Sequence, residues 1–353
     1  MKLSQIPTPA LVVQAKTLQK NAESMQKLLE NSSLALRPHY KSHKCASIAR
    51  WQVENGAKGM TCAKLSEAED LADAGIEDIL IANQIVQPEK LLRLASLAQK
   101  CRLTVCVDNR ENIDALDAAA GLANAVIHCL VEYDIGMERC GVTEPQEVAA
   151  LAKYISAAKN LRFEGVQAYA GHLSHEENKA ARQAQTAENA RKLRALLTTL
   201  EENGVKANTL SGGSTGTAQL KAAEGLYTEL QAGSYLFMDA TYRHLNLPFE
   251  NSLFLLTTVV STRPGLTVVD AGVKTCGVDQ GDPVPVEGTV QKIVASEEHF
   301  QLHGYSLDKQ VGDKLLLTPG HCCSTVNLHD KIYVVDGDRV IARIPVTARG
   351  CGK

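Results

Sequence analysis

Short runs of β-branched and apolar residues alternate along the chain with long amphipathic stretches rich in Ala, Leu, Lys and Glu. This alternation is typical of repeated strand–helix units. An opening run at 10–14 and a helix near 15–31 are followed by eight runs at 34–41, 58–63, 78–83, 103–108, 126–132, 163–170, 207–212 and 227–231. Eight strands alternating with helices predict an α/β fold of the (β/α)8 TIM-barrel type, with a doubly wound sheet as the alternative.

The pattern changes after Thr241, where helical periodicity fades and β-type runs separated by turn residues take over. These runs lie at 254–262, 266–269, 288–295, 314–317 and 331–335. They predict a C-terminal antiparallel β domain. We therefore expect a barrel over residues 11–245 and a β domain over 246–353 that also includes residues 1–10.

Composition narrows the class of partner. At 353 residues the chain exceeds what one hydrophobic core usually holds, and 44% hydrophobic with 22% charged residues is typical of a globular protein. The formal net charge is −3 and no basic block occurs, which argues against nucleic acid and against an anionic membrane and favours a small molecule. Met1 leads into polar sequence and no apolar run has membrane-spanning length, so we expect a cytoplasmic protein with ten reduced cysteines.

A cluster of cationic side chains follows the first barrel strand. In a barrel, the chemistry lies at the carboxyl ends of the strands, and this strand ends in Arg-Pro-His-Tyr-Lys-Ser-His-Lys at 37–44. Mutual repulsion should lower the pKa of at least one lysine there, and such a lysine is a nucleophile. Lys41 and Lys44 are the candidates, and a solvated basic turn is the alternative.

Two loops near the end of the barrel have the composition of phosphate sites. Strand seven ends in Ser-Gly-Gly-Ser-Thr-Gly-Thr at 211–217, and strand eight ends in Gln-Ala-Gly-Ser-Tyr at 231–235. Barrels commonly bind phosphate at these two loops, through backbone N–H groups and hydroxyls. A plain turn is the alternative for either loop taken alone.

Strands five and six lead into further polar segments, at 132–142 and 167–175, on the same rim. They bring Arg139, Tyr169 and His175 to the predicted site. Each could equally be structural, because a surface arginine and a histidine at a helix start are common.

The β domain contains Pro-Gly-His-Cys-Cys-Ser-Thr-Val at 319–326. If this segment is extended, alternation places His321 and Cys323 on one side and Cys322 on the other. A histidine and a cysteine suit a divalent metal, although structural zinc sites use four ligands and only a catalytic site leaves positions open.

Together these segments resemble a known family, the fold-type III pyridoxal-phosphate enzymes. The likeness is to the branch that contains D-threonine aldolase, D-serine dehydratase and 3-hydroxy-D-aspartate aldolase or dehydratase. It extends over almost the whole chain, and its most specific pieces are the motifs at 37–44, 134–142, 211–217, 233–235 and 319–323. The resemblance implies an alanine-racemase-like barrel with a second β domain, and a homodimer.

The resemblance also implies roles for individual residues. It selects Lys41 over Lys44 as the lysine that forms a Schiff base with pyridoxal 5'-phosphate, and places Arg139 and Tyr169 beside the cofactor ring. His321 and Cys323 would bind a divalent metal next to the substrate's β-hydroxyl, and His175 matches the aldolase residue that takes the proton of that hydroxyl. The implied phosphate ligands are Gly213, Ser214, Thr215, Gly233 and Ser234.

The implied activity is that of a lyase acting on D-3-hydroxy amino acids, by either of two routes. Cysteine as the second metal ligand matches the dehydratases, which would convert D-serine or 3-hydroxy-D-aspartate to a keto acid and ammonia, whereas the aldolases carry aspartate there. We therefore expect a dehydratase that uses zinc, with retro-aldol cleavage and a manganese or magnesium ion as the alternative. An amino-acid racemase or a non-catalytic carrier of the cofactor is less favoured.

Overall fold

A computed structural model describes residues 1–352. The chain divides into two compact units. The barrel unit contains residues 27–41 and 46–233, and the β unit contains residues 1–26, 42–45 and 234–350.

The barrel unit is an α/β structure with eight parallel strands, one at each of the eight predicted runs. The strands are β2 (Ala35–Leu36), β3 (Met60–Cys62), β4 (Asp78–Ile81), β5 (Arg102–Val107), β6 (Ile127–Glu132), β7 (Leu161–Ala168), β8 (Thr209–Gly212) and β9 (Glu229–Leu230). The helices between them are α2 (Ala46–Glu54), α3 (Leu65–Asp73), α4 (Pro88–Leu97), α5 (Arg110–Ala123), α6 (Pro145–Ala157), α7 (Lys179–Glu202) and α8 (Ala218–Glu224). The predicted fold class is confirmed.

The strands pair in the order β2-β9-β8-β7-β6-β5-β4-β3. The two ends of this order are joined where the Lys58 N–H donates to the Leu36 carbonyl and the Thr61 N–H donates to the Pro38 carbonyl, both at 2.8 Å. The sheet therefore closes, and its carboxyl-terminal loops gather on one rim.

The barrel interior changes character along its axis. Leu80, Cys106 and Leu130 form a buried apolar layer. Towards the carboxyl ends of the strands the interior becomes polar, and the Gln231 amide donates to Gln167 at 2.6 Å and to Ser211 at 2.9 Å. A polar upper layer is what a site at this rim requires.

Arg37 occupies the opposite part of the interior, so the predicted cationic cluster loses one member. Its guanidinium makes two hydrogen bonds of 3.0 Å to Glu229 and bonds of 3.0 and 3.1 Å to Asp78. Burial alone would lower the pKa of Arg37, but these two carboxylates outweigh it and raise the pKa. Arg37 therefore adds no uncompensated positive charge beside Lys41.

The β unit is built on a nine-stranded sheet that is mainly antiparallel. Its strands are β1 (Ala10–Gln14), β10 (Leu253–Arg263), β11 (Leu266–Val269), β12 (Val284–Pro285), β13 (Lys292–Ala295), β14 (Phe300–His303), β15 (Lys314–Thr318), β16 (Lys331–Asp336) and β17 (Arg339–Pro345). Helix α1 (Ala15–Leu29) begins in this unit and ends in the barrel unit, and α9 (Cys322–Val326) lies between β15 and β16. A small core forms around Ile6, Val12, Leu256 and Val335.

The N-terminal segment differs from the predicted boundary at residue 11. Strand β1 pairs antiparallel with β10 and parallel with β16, so residues 1–26 belong to the β unit. A continuous apolar run carries no information about its partner strand, which explains the difference.

Two other expectations about the β domain need correction. The run at 288–295 begins as a strand only at Lys292, and strands β12, β14 and β17 were not predicted. The segment after Gly320, expected to be extended, is the short helix α9 with His321 at its N-cap. His321 and Cys323 therefore lie in a helical turn, and alternation is not the reason for their proximity.

The described part of the chain has no helix that is long and apolar enough to cross a membrane. The ten cysteines form no disulfide in the structure.

We predict that Glu229→Gln lowers the free energy of unfolding by about 3 kcal/mol, because it leaves the buried Arg37 with one carboxylate instead of two. The side chains of Arg37 and Glu229 are only 5% and 3% exposed, so water cannot replace the lost charge. Urea denaturation measures the change. Glu298→Gln, which removes a half-exposed partner of Lys274, is the matched control and should leave the unfolding free energy unchanged.

Candidate active site

Lys41 lies in a 3₁₀ turn, Tyr40–Ser42, that begins soon after the first barrel strand. Its side chain is half-buried. The neighbouring Tyr40 is fully buried and its hydroxyl donates to Asp70, while the Lys41 backbone N–H approaches His39 Nδ1 at 3.4 Å. These contacts restrain the backbone that leads into Lys41, as a covalent attachment point requires.

Asp134 shapes the loop that carries Arg139. Its carboxylate accepts the backbone N–H groups of Gly136 and Met137 at 2.8 Å and of Glu138 at 2.9 Å. Glu138 has φ +55°, a left-handed conformation that a glutamate adopts only when its surroundings impose it. The spacing in Asp-x-Gly-x-x-Arg therefore has a structural reason: the carboxylate folds the loop, and the loop delivers the arginine.

The structure brings together two of the predicted cofactor residues. The Arg139 guanidinium lies 5.6 Å from the centre of the Tyr169 ring, within cation–π range. Arg139 is 3.9 Å from Glu132, whose pKa is raised by burial although Gln84 and Arg139 oppose the shift. The Arg139 side chain remains 48% exposed and is available to a ligand.

His175 follows the 3₁₀ turn Gly171–Leu173 and precedes α7. It is half-buried. Nearby in the chain, the Tyr169 hydroxyl lies 3.5 Å from the Ser174 hydroxyl, so the segment that begins at Tyr169 turns back on itself. Its role in the reaction is a prediction from the sequence.

The loop after β8 is a tight turn that depends on glycine. A Cβ atom at Gly212 would lie 2.2 Å from the Ala168 carbonyl oxygen, and Gly213 has φ +74°, so both positions favour glycine. Ser214 and Thr217 close the turn, with their hydroxyls 3.1 Å apart and the Ser214 N–H donating to Thr217 at 3.0 Å. Together with the buried Thr215, this tight turn offers hydroxyls and backbone N–H groups.

Gly233 ends the barrel unit and Ser234 begins the next segment of the β unit. The Ser234 hydroxyl lies 3.9 Å from Cys323 Sγ. Tyr242 also hydrogen-bonds the Ser234 side chain. The Ser234 hydroxyl is therefore already in contact with Tyr242 and Cys323. The backbone N–H is the part of Ser234 best suited to a phosphate.

His321 and Cys323 are in contact, as a shared metal ion would require. The Cys323 thiol group hydrogen-bonds the His321 ring. Burial alone would lower the pKa of His321, but Cys323 and Asp279 outweigh it and raise the pKa to about 9. Cys322 is fully buried whereas Cys323 is half-buried, and their sulfur atoms lie 3.9 Å apart.

Asp239 was missed by sequence reasoning. It is fully buried, and it accepts the Cys322 N–H at 2.9 Å and the Thr241 N–H at 3.2 Å. Burial raises its pKa to about 6, against the Cys322 hydrogen bond. An aspartate before a helical turn is a common N-cap signal, but its reach to Cys322 is visible only in the structure.

The donor set at His321 fits a divalent metal as a two-ligand site. No group of three or more His, Cys, Asp or Glu side chains in residues 1–352 is arranged to hold a metal ion. The pair supplies two protein ligands, and a metal bound there would keep positions open to water or substrate.

Comparisons with known proteins place this architecture. The model of the alanine racemase N-terminal domain matches residues 13–241, and that of a putative serine dehydratase domain matches residues 252–335. The chain belongs to the alanine racemase N-terminal domain family. Its full-length relatives are aldolases and dehydratases, and it is a pyridoxal-phosphate-dependent lyase.

Among curated relatives, a D-threonine aldolase from Arthrobacter sp. is 39% identical, over 99% of this chain and 94% of that protein. A 3-hydroxy-D-aspartate aldolase from Paracoccus denitrificans is 38% identical, over 100% of this chain and 94% of that protein. A D-threo-3-hydroxyaspartate dehydratase from Delftia sp. is 28% identical, over 78% of this chain and 74% of that protein.

Among solved structures, too, an aldolase is more similar to this chain than a dehydratase is. The D-threonine aldolase from Filomicrobium marinum superposes with a TM-score of 0.97 at 37% identity, covering 100% of this chain and 98% of that one. The Delftia dehydratase superposes with a TM-score of 0.87 at 25% identity, covering 98% of each chain.

We predict that Asp134→Ala raises amide hydrogen exchange at Gly136, Met137 and Glu138 by at least about tenfold, because three charge-assisted hydrogen bonds are lost. Mass spectrometry of peptides that span 134–142 measures the effect. Asp134→Asn keeps one acceptor oxygen and should show a smaller increase. Asp114→Ala, which removes an exposed carboxylate bonded to Tyr154, is the control and should leave this loop unchanged.

Proposed function

We propose that this enzyme is an aldolase that cleaves D-3-hydroxy amino acids, such as D-threonine or 3-hydroxy-D-aspartate, to glycine and an aldehyde. The observation that supports this most strongly is the likeness to two aldolases at 38–39% identity over essentially the whole chain. The dehydratase relatives are more distant, at 28% and 25% identity. Sequence analysis favoured dehydration because of Cys323, and the comparisons shift the preference to aldol cleavage.

The barrel residues are assigned to pyridoxal phosphate. Lys41 would hold the cofactor aldehyde through its amine, and the turn of Gly213, Ser214 and Thr215, with the backbone of Gly233 and Ser234, would bind the phosphate. Arg139 and Tyr169 would flank the ring, in keeping with their mutual contact. When bound, the cofactor supplies an electron sink that stabilises negative charge at the substrate's Cα.

The remaining requirement is the loss of the proton from the β-hydroxyl. In aldol cleavage this proton leaves the oxygen, the Cα–Cβ bond breaks, and the electron pair of that bond stays on Cα. We assign His175 as the base that takes this proton. It is a half-buried imidazole that follows β7 on the carboxyl-terminal rim of the barrel. A positively charged Arg139 would favour the ionised form of an acidic group on the cofactor ring.

His321 and Cys323 are assigned to a divalent metal, which would lower the pKa of the β-hydroxyl as a Lewis acid. Imidazole and thiolate together favour zinc over magnesium or manganese. A metal bound by these two residues would assist both aldol cleavage and dehydration. The identity of the metal alone therefore does not select the reaction.

Dehydration to a keto acid and ammonia is the second candidate, and Cys323 is the observation that favours it. Solved variants of the Delftia dehydratase replace a histidine and, two positions later, a cysteine with alanine, and the cysteine variant is in a metal-free form. The pair His321 and Cys323 has the same spacing. In this reaction hydroxide leaves from Cβ and no glycine forms.

One substrate panel tests the proposal. Purified holoenzyme with added zinc is incubated with D-threonine, 3-hydroxy-D-aspartate and D-serine, and with L-threonine as the stereochemical control. We expect glycine with acetaldehyde from D-threonine and glycine with glyoxylate from 3-hydroxy-D-aspartate. Keto acid and ammonia without glycine would instead establish the dehydratase, and inactivity with all three D-substrates would contradict both.

We predict that Lys41→Ala abolishes the near-visible absorbance band of the bound cofactor, because the covalent attachment through the lysine amine is lost. Spectrophotometry of the reconstituted protein measures the band. Lys44→Ala should keep it, and circular dichroism confirms that each variant is folded. Loss of the band in Lys44→Ala and its retention in Lys41→Ala would reverse the assignment.

A further inference from the structure

The two nitrogens of the His321 ring have different neighbours. Nδ1 lies 2.7 Å from Asp279 Oδ2, a carboxylate that is 42 positions earlier in the chain. The ring is also hydrogen-bonded by Cys323. Because Nδ1 is occupied by Asp279, Nε2 is the ring nitrogen that remains to bind a metal ion together with the Cys323 thiolate.

Asp279 is itself held in place. Its Oδ1 accepts the Ser324 hydroxyl at 2.5 Å, and Ser324 belongs to α9, the helix that begins directly after His321. Each carboxylate oxygen therefore accepts a proton donor of the 321–324 turn. A carboxylate fixed at both oxygens can hold an imidazole in one orientation, whereas a mobile one cannot.

The backbone on both sides of this contact leaves no room for adjustment. A Cβ atom at Gly277 would lie 1.9 Å from Ser324 Oγ, and one at Gly320 would lie 1.9 Å from the Gly281 carbonyl oxygen. The Gly277 N–H also donates to the Thr325 hydroxyl at 3.0 Å. Residues 277–281 are thus packed directly against residues 320–325, and Asp279 is carried by the middle of that segment.

An imidazole that binds a metal does so as the neutral ring, with one nitrogen on the metal and a proton on the other. A carboxylate that accepts this proton fixes the tautomer and the direction of the ring and makes the metal-bound nitrogen more basic. The removal of such a partner usually costs metal affinity without removal of a ligand.

The geometry points to Asp279 as a positioning residue that holds the Nδ1–H of His321, so that Nε2 and Cys323 together present their lone pairs to a divalent cation. The inference rests on the proposed metal role of His321 and Cys323. Asp239, the other carboxylate near this turn, has a different task, because its two oxygens accept backbone N–H groups of Thr241 and Cys322.

The test is the affinity for zinc, measured on the cofactor-loaded protein by competition with a chromophoric chelator. We expect Asp279→Ala to weaken zinc binding by about 10- to 100-fold. Asp279→Asn, which keeps an acceptor oxygen without the charge, should recover part of the loss. Ser324→Ala should have a smaller effect in the same direction, since it frees the carboxylate without removing it.

Two readouts separate positioning from ligation and from general loss of structure. Saturation with Co²⁺ should give Asp279→Ala the same thiolate-to-cobalt absorbance as the unchanged protein, because both ligands remain. The absorbance of the bound cofactor should also be unchanged. Glu298→Ala removes a carboxylate of similar exposure from the same unit and should bind zinc normally.

The possible failures are distinguishable. Unchanged zinc affinity in Asp279→Ala, with affinity lost in His321→Ala and Cys323→Ala, would overturn the inference and leave the proposed metal pair intact. Unchanged affinity in all three variants would overturn both. An altered cobalt spectrum of Asp279→Ala at saturation would also overturn it, since Asp279 would then itself be a ligand of the metal.

Discussion

The barrel depends on the ion pairs that Arg37 makes across its interior. The first and last strands, β2 and β9, are two residues long each, so few backbone hydrogen bonds join them. Arg37 follows the first strand and binds Glu229 on the last strand and Asp78 on the third. A buried pair of this kind contributes less to net stability than to the choice of one arrangement, because any other would leave a charge unpaired in the interior. Lys41 is only four positions further along, and its place on the rim follows from this closure.

Much of the fold could be predicted from the sequence, and the reasons for success and failure are physical. Each of the eight barrel strands was found because an apolar run between amphipathic helices is a strong local signal. Strand β14 was missed because four residues with polar positions carry no such signal, and β17 because arginines at 339 and 343 interrupt its apolar run. The helix after His321 was missed because five residues are too few for periodicity. The prediction that Arg37 belongs to a cationic cluster was wrong. Its carboxylate partners, Asp78 and Glu229, are distant in sequence, so a local motif does not show them.

The candidate site shows the same division. Residues that are proposed to act through their own chemistry, such as Lys41, Arg139 and His321, could be identified from motifs. Residues that act by holding others, such as Asp134 and Asp279, could not be given a role, because their function is a contact and a contact is visible only after folding. Cys323 is a third case. A cysteine at this position favours dehydration. The chain as a whole, however, is more similar to the aldolases, so the proposed metal ligand and the overall likeness favour different reactions.

The position of β1 has a consequence for how the protein is made. This strand is synthesised about 320 residues before one of its partners, β16, since Leu11 pairs with Ile332. The β unit therefore cannot be completed until β16 has left the ribosome, whereas residues 46–233 of the barrel unit are available earlier. Until then β1 presents an apolar strand without its neighbours, which makes this segment a natural client for chaperones.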